Sequence, residues 1–411
     1  MGVLRVARFR RYLFGQGISL FGDSLVPLTI AFAALEVAGP AGLGVVLAAN
    51  RIPVAVLVLA GGALGDRWPR RGLMVGADVL RCVVQAASGL LLITGHAGLV
   101  ALVVLQALAG VGTAVFVPAA SGLVPSLVGE DQVQEATALL GLVGNVNKVA
   151  SISVAGVLVA GVGPGVALLV DAATFAASAL VLAGLPLPAA VRRSGRPGLW
   201  REVRDGARLV ASMRWLVTLL VYGGLLQALV IGPHMVAGLL AAERNYGGAA
   251  GWAVIGVVQA AGSIAGGVVA LRWRPRRPLT AAVAVGLLMV PYLVVLALGG
   301  PLWLVCVLAV LVGGQGSVAM AVQTAQVQRR VPEDARSRVA AWSQIGNLVA
   351  LPASLAATGP LAAHVGAGPV LLAAAGWLSV STVLVLATRA LDLPGPSGAR
   401  APGPGAAAPA R

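Results

Sequence analysis

Apolar runs of about 20 residues recur along the whole chain, separated by short clusters of arginine, and few folds can accommodate that pattern. A run of this length crosses a hydrocarbon core of about 30 Å as an α-helix. A membrane β-barrel would instead show alternating segments of about 10 residues, and the sequence has none. Charged residues make up 10% of the 411 positions and hydrophobic ones 58%, whereas a soluble domain carries about 25% charged residues to cover its surface. The chain therefore reads as an all-α membrane protein.

Twelve spans are predicted, over residues 12–37, 43–64, 73–94, 97–124, 134–160 and 163–187, then 212–241, 249–271, 279–298, 302–325, 338–362 and 368–388. The first is too long for the apolar core of a secretory signal and carries Asp23 within it, so it reads as an uncleaved helix. The net charge of +15 would raise nucleic acid as a partner for a soluble protein. Here 25 of the 29 basic residues fall on the N-terminal arm, alternate loops and tail. That is the distribution that sets topology, and it places both termini in the cytoplasm of a cell that holds the protein in its inner or plasma membrane. The expected partners are the bilayer and a small-molecule substrate, with no nucleic acid.

The longest connection, residues 188–211, divides the spans six and six. The predicted organisation is an N-terminal bundle over 1–187, a cytoplasmic linker over 188–211, and a C-terminal bundle over 212–390. A disordered tail over 391–411 follows, rich in Pro, Gly and Ala. The linker's segment from Leu199 to Met213 alternates apolar residues with arginines, as an amphipathic helix on the inner leaflet or a solvated connection would. The halves look duplicated. Residues 67–71 read RWPRR and residues 272–277 read RWRPRR, in corresponding loops. Val124-Pro125 and Val331-Pro332 each end a span ahead of an acidic pair, Glu130-Asp131 and Glu333-Asp334. Two such matches at equivalent places point to an internal repeat.

Chemistry-bearing residues are sparse. Cys82 and Cys306 lie inside apolar runs, and the three histidines (His96, His234, His364) have no ligand spacing. No metal, cofactor or disulfide is therefore expected. The absence of a GxxxxGK[ST] motif removes ATP as a built-in energy source, and no nucleophile motif suggests an enzyme. Ionisable residues inside spans cost at least ~2.5 kcal/mol and so face a cavity or a partner. Asp23 sits near mid-depth of the first span. Lys148, the only lysine, sits near the middle of the fifth, close to Asn145 and Asn147. These make Asp23 a candidate proton or cation site and Lys148 its ion-pair partner or a substrate anchor, with a permanent structural pair as the alternative. Gln227 and His234 fall on roughly one face of the seventh span, where they could line a cavity. Glu36 and Arg51 bracket the first outer loop, and Asp171 is expected near the outer end of the sixth span.

The loop between spans two and three reads Gly62-Ala-Leu-Gly-Asp66-Arg67-Trp-Pro69-Arg70-Arg71. An acid and several arginines at a membrane edge can latch one conformation of a rocking protein. Asp78 and Arg81, one turn apart in the third span, can pair with each other or with that loop. This loop resembles the signature of the major facilitator superfamily, except that Pro69 stands where glycine is usual. FRRYLFGQGISLFGDSLVPL (9–28), VFVPAASGLVPSLV (115–128), DAATFAASAL (171–180) and VQRRVPEDARSRVAAW (327–342) narrow the likeness to the branch of macrolide and enterobactin exporters. The resemblance implies twelve helices in two pseudo-symmetric six-helix bundles, a central cavity, and proton-coupled export by alternating access; a monomer is expected. Gly62, Asp66, Arg67, Arg70, Arg71, Asp78 and Arg81 make up the candidate conformational latch. Antiporters of this superfamily often carry Gly-Pro in the fifth helix, and here residues 151–161 contain no proline. An importer or uniporter of a small metabolite is the alternative reading, with a non-transporting sensor behind it.

Overall fold

The computed structural model describes residues 2–65, 69–185, 210–331 and 346–388, with the single positions 208, 339, 342, 390 and 391. Asp66, Arg67, nearly all of the 188–211 connection and the tail beyond Leu391 lie outside the described residues. After a 3-10 turn at Val3–Arg5 the described chain is helical almost throughout. The helices are α1 (Ala7–Gly65), α2 (Arg70–Ile93), α3 (Leu99–Leu127), α4 (Val133–Val162) and α5 (Pro164–Ala183). They continue as α6 (Arg214–Asn245), α7 (Ala249–Arg272), α8 (Pro278–Ala297), α9 (Leu302–Arg330), α10 (Leu348–Val365) and α11 (Ala367–Ala387).

Helix α1 holds two of the expected spans. Its 59 residues would reach about 88 Å if straight, nearly three bilayer cores. At Gly39 the backbone leaves the helix, with φ 63° and ψ −165°, a combination that suits glycine. Pro40 then opens the second limb, where its missing N–H costs nothing. The limbs run in opposite directions along α3. On the first limb Tyr12 reaches the Ala120 carbonyl, and on the second Asn50 meets Gln106. The eleven helices therefore make twelve crossings, as expected from sequence.

Duplication is visible at the turns. Gly39, Gly95 and Gly163 have positive φ at the junctions that follow the first, third and fifth crossings. Gly248, Gly299 and Gly366 have it at the same junctions of the second half, each about half a chain away. All of these turns lie at the end of the molecule opposite the termini. The seventh and eleventh crossings also match, each carrying one turn of π-helix (Gln227–Ile231 and Gly346–Ala350) just before a proline, Pro233 or Pro352. Proline cannot donate to the preceding turn, and a π turn absorbs the misfit. The Ala228 carbonyl takes a hydrogen bond from the Ser354 hydroxyl of α10.

Among the described residues, apolar packing joins the halves at one end. At the end opposite the termini, Leu25, Leu28, Phe32, Leu43 and Leu47 share a core with Val236, Leu239, Ala253 and Leu355. At the termini end the described cores are separate: Phe9, Met74, Phe116 and Leu182 in the first half, Tyr222, Leu279 and Val283 in the second. Small residues allow the close approach. A Cβ on Gly359 would lie 2.7 Å from the Pro40 carbonyl oxygen, one on Gly44 would overlap Leu355, and one on Gly156 would overlap Ala253. Among the described residues the halves are thus joined at the far end and parted toward the termini, leaving a cleft between them.

Replacing Gly156 with leucine should force the halves apart at the closed end. Spin labels at the exposed positions Val157 and Val254 are expected to report a longer distance in Gly156→Leu than in the parent protein. An unchanged distance would mean that this contact does not close the cleft.

Candidate functional site

The polar centre of the first half is built around Arg81 of α2. Its side chain is 2% exposed and its guanidinium is sandwiched between the rings of Phe116 and Phe175, at 4.4 and 4.2 Å. A guanidinium suits this place because it is flat, weakly hydrated and stacks on aromatic faces. Gly112 of α3 makes room for the stem, since a Cβ there would lie 2.8 Å from Arg81 Cγ.

Arg81 binds carboxylates on two helices. One terminal nitrogen donates to both oxygens of Asp23 on α1, at 2.9 and 3.0 Å. The other donates to Asp78, one turn back on α2. Asp78 also accepts from the Ser178 hydroxyl of α5 at 2.7 Å. Asp78 and Ser178 are fully buried, while the Asp23 side chain is 33% exposed. Asp23 is thus the point at which a buried ionic cluster meets the cleft. Behind it, Asn50 donates to Gln106, and Gln106 donates to Gln85 on α2 at 3.1 Å.

This arrangement joins residues that the sequence placed in separate groups. Asp78 and Arg81 do pair with each other, but they also hold Asp23. Within the described residues, the 2–3 loop engages neighbouring helices: Arg70 donates to the Gly122 carbonyl, and Arg71 to those of Ala183 and Leu185. Gly62 lies within the last turns of α1.

The expected Asp23–Lys148 pair does not form. Lys148 is exposed on α4, as is Asn145, whereas Asn147 donates to the Gly17 carbonyl of α1 at 2.6 Å. Asp23 is already bound through both carboxylate oxygens by the Arg81 guanidinium. One turn beyond Lys148, Ile152 packs on Gly256 of the other half, so Lys148 stands where the halves begin to part.

His234 does not line the cleft. It is buried in the second half, 3.0 Å from the Tyr292 hydroxyl and 5.4 Å, centre to centre, from the rings of both Tyr292 and Trp252. An uncharged ring with one polar partner is easier to bury there than to expose. Gln227 is half-buried at the start of the π turn. Arg51 is not at an outer loop: it follows Gly39 by about 18 Å of helix. It is exposed, two turns from Gly44 on the same face, and within electrostatic reach of Asp23.

Asp171 is the largest departure from expectation. Rather than sitting at a helix start, it lies two turns into α5, fully buried beside Gly22. Its local signal is the spacing of Asp171, Thr174, Phe175 and Ser178, which share one face of α5. Spacing alone does not show which helix that face meets. Among the described residues, no group of three or more His, Cys, Asp and Glu side chains is placed to hold a metal ion.

A two-halved helical cleft crossing the membrane twelve times, with a charged cluster in its wall, defines a multi-pass transporter fold. The chain belongs to the Major Facilitator Superfamily, whose family model matches residues 12–353. A nucleoside transporter, NupG, superposes with a TM-score of 0.78 over 93% of this chain and 98% of that one, at 12% identity. A bacterial homologue of the iron transporter ferroportin, in an inward-facing state, gives 0.69 over 92% and 98%, at 16% identity. In sequence the chain is 27% identical over 252 residues to YfiS, an uncharacterised MFS-type transporter of Bacillus subtilis (strain 168), covering 58% of each. It is 27% identical over 216 residues to macrolide efflux protein A of Streptococcus pyogenes, covering 51% of this chain and 53% of that protein. The chain spans little more than half the length of these curated relatives.

Removing the guanidinium would leave Asp78 buried without its counter-ion, at a cost of about 3–5 kcal/mol. Arg81→Met protein is expected to unfold earlier in an SDS titration by that order. Arg81→Lys should retain the charge but lose the shared hydrogen bonds and fall between the two. Equal stability of all three proteins would remove Arg81 from the centre of the fold.

Proposed function

We propose that the protein is a secondary active exporter of an amphiphilic small molecule (a drug, antibiotic or siderophore), driven by proton entry. The observation that carries this reading is Asp23, a carboxylate half-way along its span, partly open to the cleft and tied to a buried arginine. An ionised group costs too much in that position to be idle filling. The likeness to macrolide efflux protein A supports export, and a cleft wall with few charges favours a substrate bound mainly by shape and apolar contact. With no ATP-binding motif in the chain, the energy comes from an ion gradient.

The same reading carries the remaining organisation. Residues 1–187 and 212–390 act as two bundles that rock about the cleft, joined by the 188–211 linker, with 391–411 as a tail. The clustered arginines put both termini in the cytoplasm and the protein in the cell membrane. The open end then faces inward, where an exporter loads its cargo. Gly62, Asp66, Arg67, Arg70 and Arg71 act as a latch between conformations, and Arg51, Lys148, Asn145 and Gln227 are the polar groups available to substrate. The protein works as a monomer and takes no cofactor. The missing proline in α4 supports a second reading, an uncoupled uniporter of a small metabolite.

Cells with and without the protein are to be compared for accumulation of a compound panel, with and without an uncoupler. Export predicts that at least one amphiphile accumulates less when the protein is present, and that the uncoupler abolishes the difference. A difference that survives the uncoupler would favour the uniporter. In proteoliposomes, Asp23→Asn should bring pH-driven transport of that compound close to background, and unchanged transport would eliminate Asp23 as part of the proton route.

A further inference from the structure

Around Arg81 the charges do not balance. Three carboxylates, Asp23, Asp78 and Asp171, converge from α1, α2 and α5 on one buried guanidinium, and Arg51 is the second cation within reach. That leaves one negative charge in excess in a region sealed from water on the α5 side. Two of the carboxylates have partners on both oxygens. Asp23 receives two bonds from Arg81, and Asp78 receives one from Arg81 and one from Ser178. The third does not. Asp171 Oδ1 has a long contact, 3.4 Å, with the Thr174 hydroxyl and the Gln85 side chain nearby, and Asp171 Oδ2 is buried with no hydrogen-bond partner. An ionised carboxylate left in that condition would cost several kcal/mol, and one proton removes the excess charge.

We propose that Asp171 is a buried proton-binding site, occupied in this conformation, and that Asp23 is its connection to the cleft. The placement is specific. Gly22, next to Asp23, has no side chain, and the Asp171 carboxyl packs into the space a Cβ would fill. The groups that face Asp171 are Asp23 from α1 and Arg81, Cys82 and Gln85 from α2. On α4, Lys148 is exposed near mid-helix and Glu135 lies in the first turn. Among the described residues no cation pairs with Asp171 directly. When Asp171 releases its proton, the new charge competes with Asp23 and Asp78 for Arg81, so proton loss and the hold on α1 are linked. This deepens the exporter reading by naming where the coupling proton rests, and depends on it only for the consequence in transport.

The test is infrared spectroscopy of the purified full-length protein at neutral pH, in H₂O and in D₂O. A protonated, poorly hydrogen-bonded carboxylic acid has a carbonyl stretch well separated from the amide bands, and it shifts on deuteration. The band is expected in the parent protein, absent from Asp171→Asn, and restored at a shifted frequency in Asp171→Glu, with the amide bands unchanged in all three. No band in the parent protein, or an undiminished band in Asp171→Asn, would overturn the assignment. If the asparagine variant fails to fold, the shifted frequency in Asp171→Glu decides the assignment, and an unshifted band there would overturn it. In Asp23→Asn the band should persist while its deuterium exchange slows at least about tenfold, the equivalent of 1.4 kcal/mol on the barrier. Unslowed exchange would overturn the route through Asp23. The readout uses neither substrate nor gradient, so it stands or falls separately from the exporter reading.

Discussion

A single guanidinium holds the first half together in charge as well as in shape. Arg81 could not be buried without the carboxylates of Asp23 and Asp78, and neither acid could sit in the bilayer without it. The two phenylalanine rings and the gap left by Gly112 fix where the guanidinium lies. Its contacts tie α1 to α2 directly and to α5 through Asp78 and Ser178. Apolar packing alone is a weak organiser in lipid, because the solvent is as greasy as the side chains. Directional ionic bonds supply register that leucines and valines cannot.

The same economy explains the shape of the cleft. At the far end the halves meet through glycine and alanine, so their backbones touch at Gly44, Gly156 and Gly359. Toward the termini each half keeps its larger side chains for its own core. A surface that meets another backbone this closely has little give. It is either fully seated or apart, which is the two-state behaviour that alternating access requires.

Much of this was legible in the sequence. Twelve crossings, the internal repeat and the family followed from run lengths, arginine clusters and the 2–3 loop, all of which are local properties. Asp23, Asp78 and Arg81 could each be marked as costly in a membrane. Their mutual contact could not be seen, because it depends on how α1, α2 and α5 rotate against one another. Lys148 looked like the natural partner for Asp23 as the only lysine in the chain, yet an arginine between two rings took that role. Arg51 was misplaced because the turn at Gly39 is a single residue, which puts the arginine deep in the second limb. Asp171 was read by its distance from a predicted helix end. What decides its surroundings is Gly22, a residue on another helix with no side chain to announce itself.

The one-glycine turns at Gly39, Gly163 and Gly366 bear on the moving parts of the machine. Helices joined by several residues can slide or swivel independently, whereas helices joined by one residue are mechanically a single piece. The limbs of α1, the pair α4–α5 and the pair α10–α11 are such pieces. The basic stroke is then a tilt of these hairpins about their far-side elbows, with slack left to junctions of several residues such as 94–98 and 298–301.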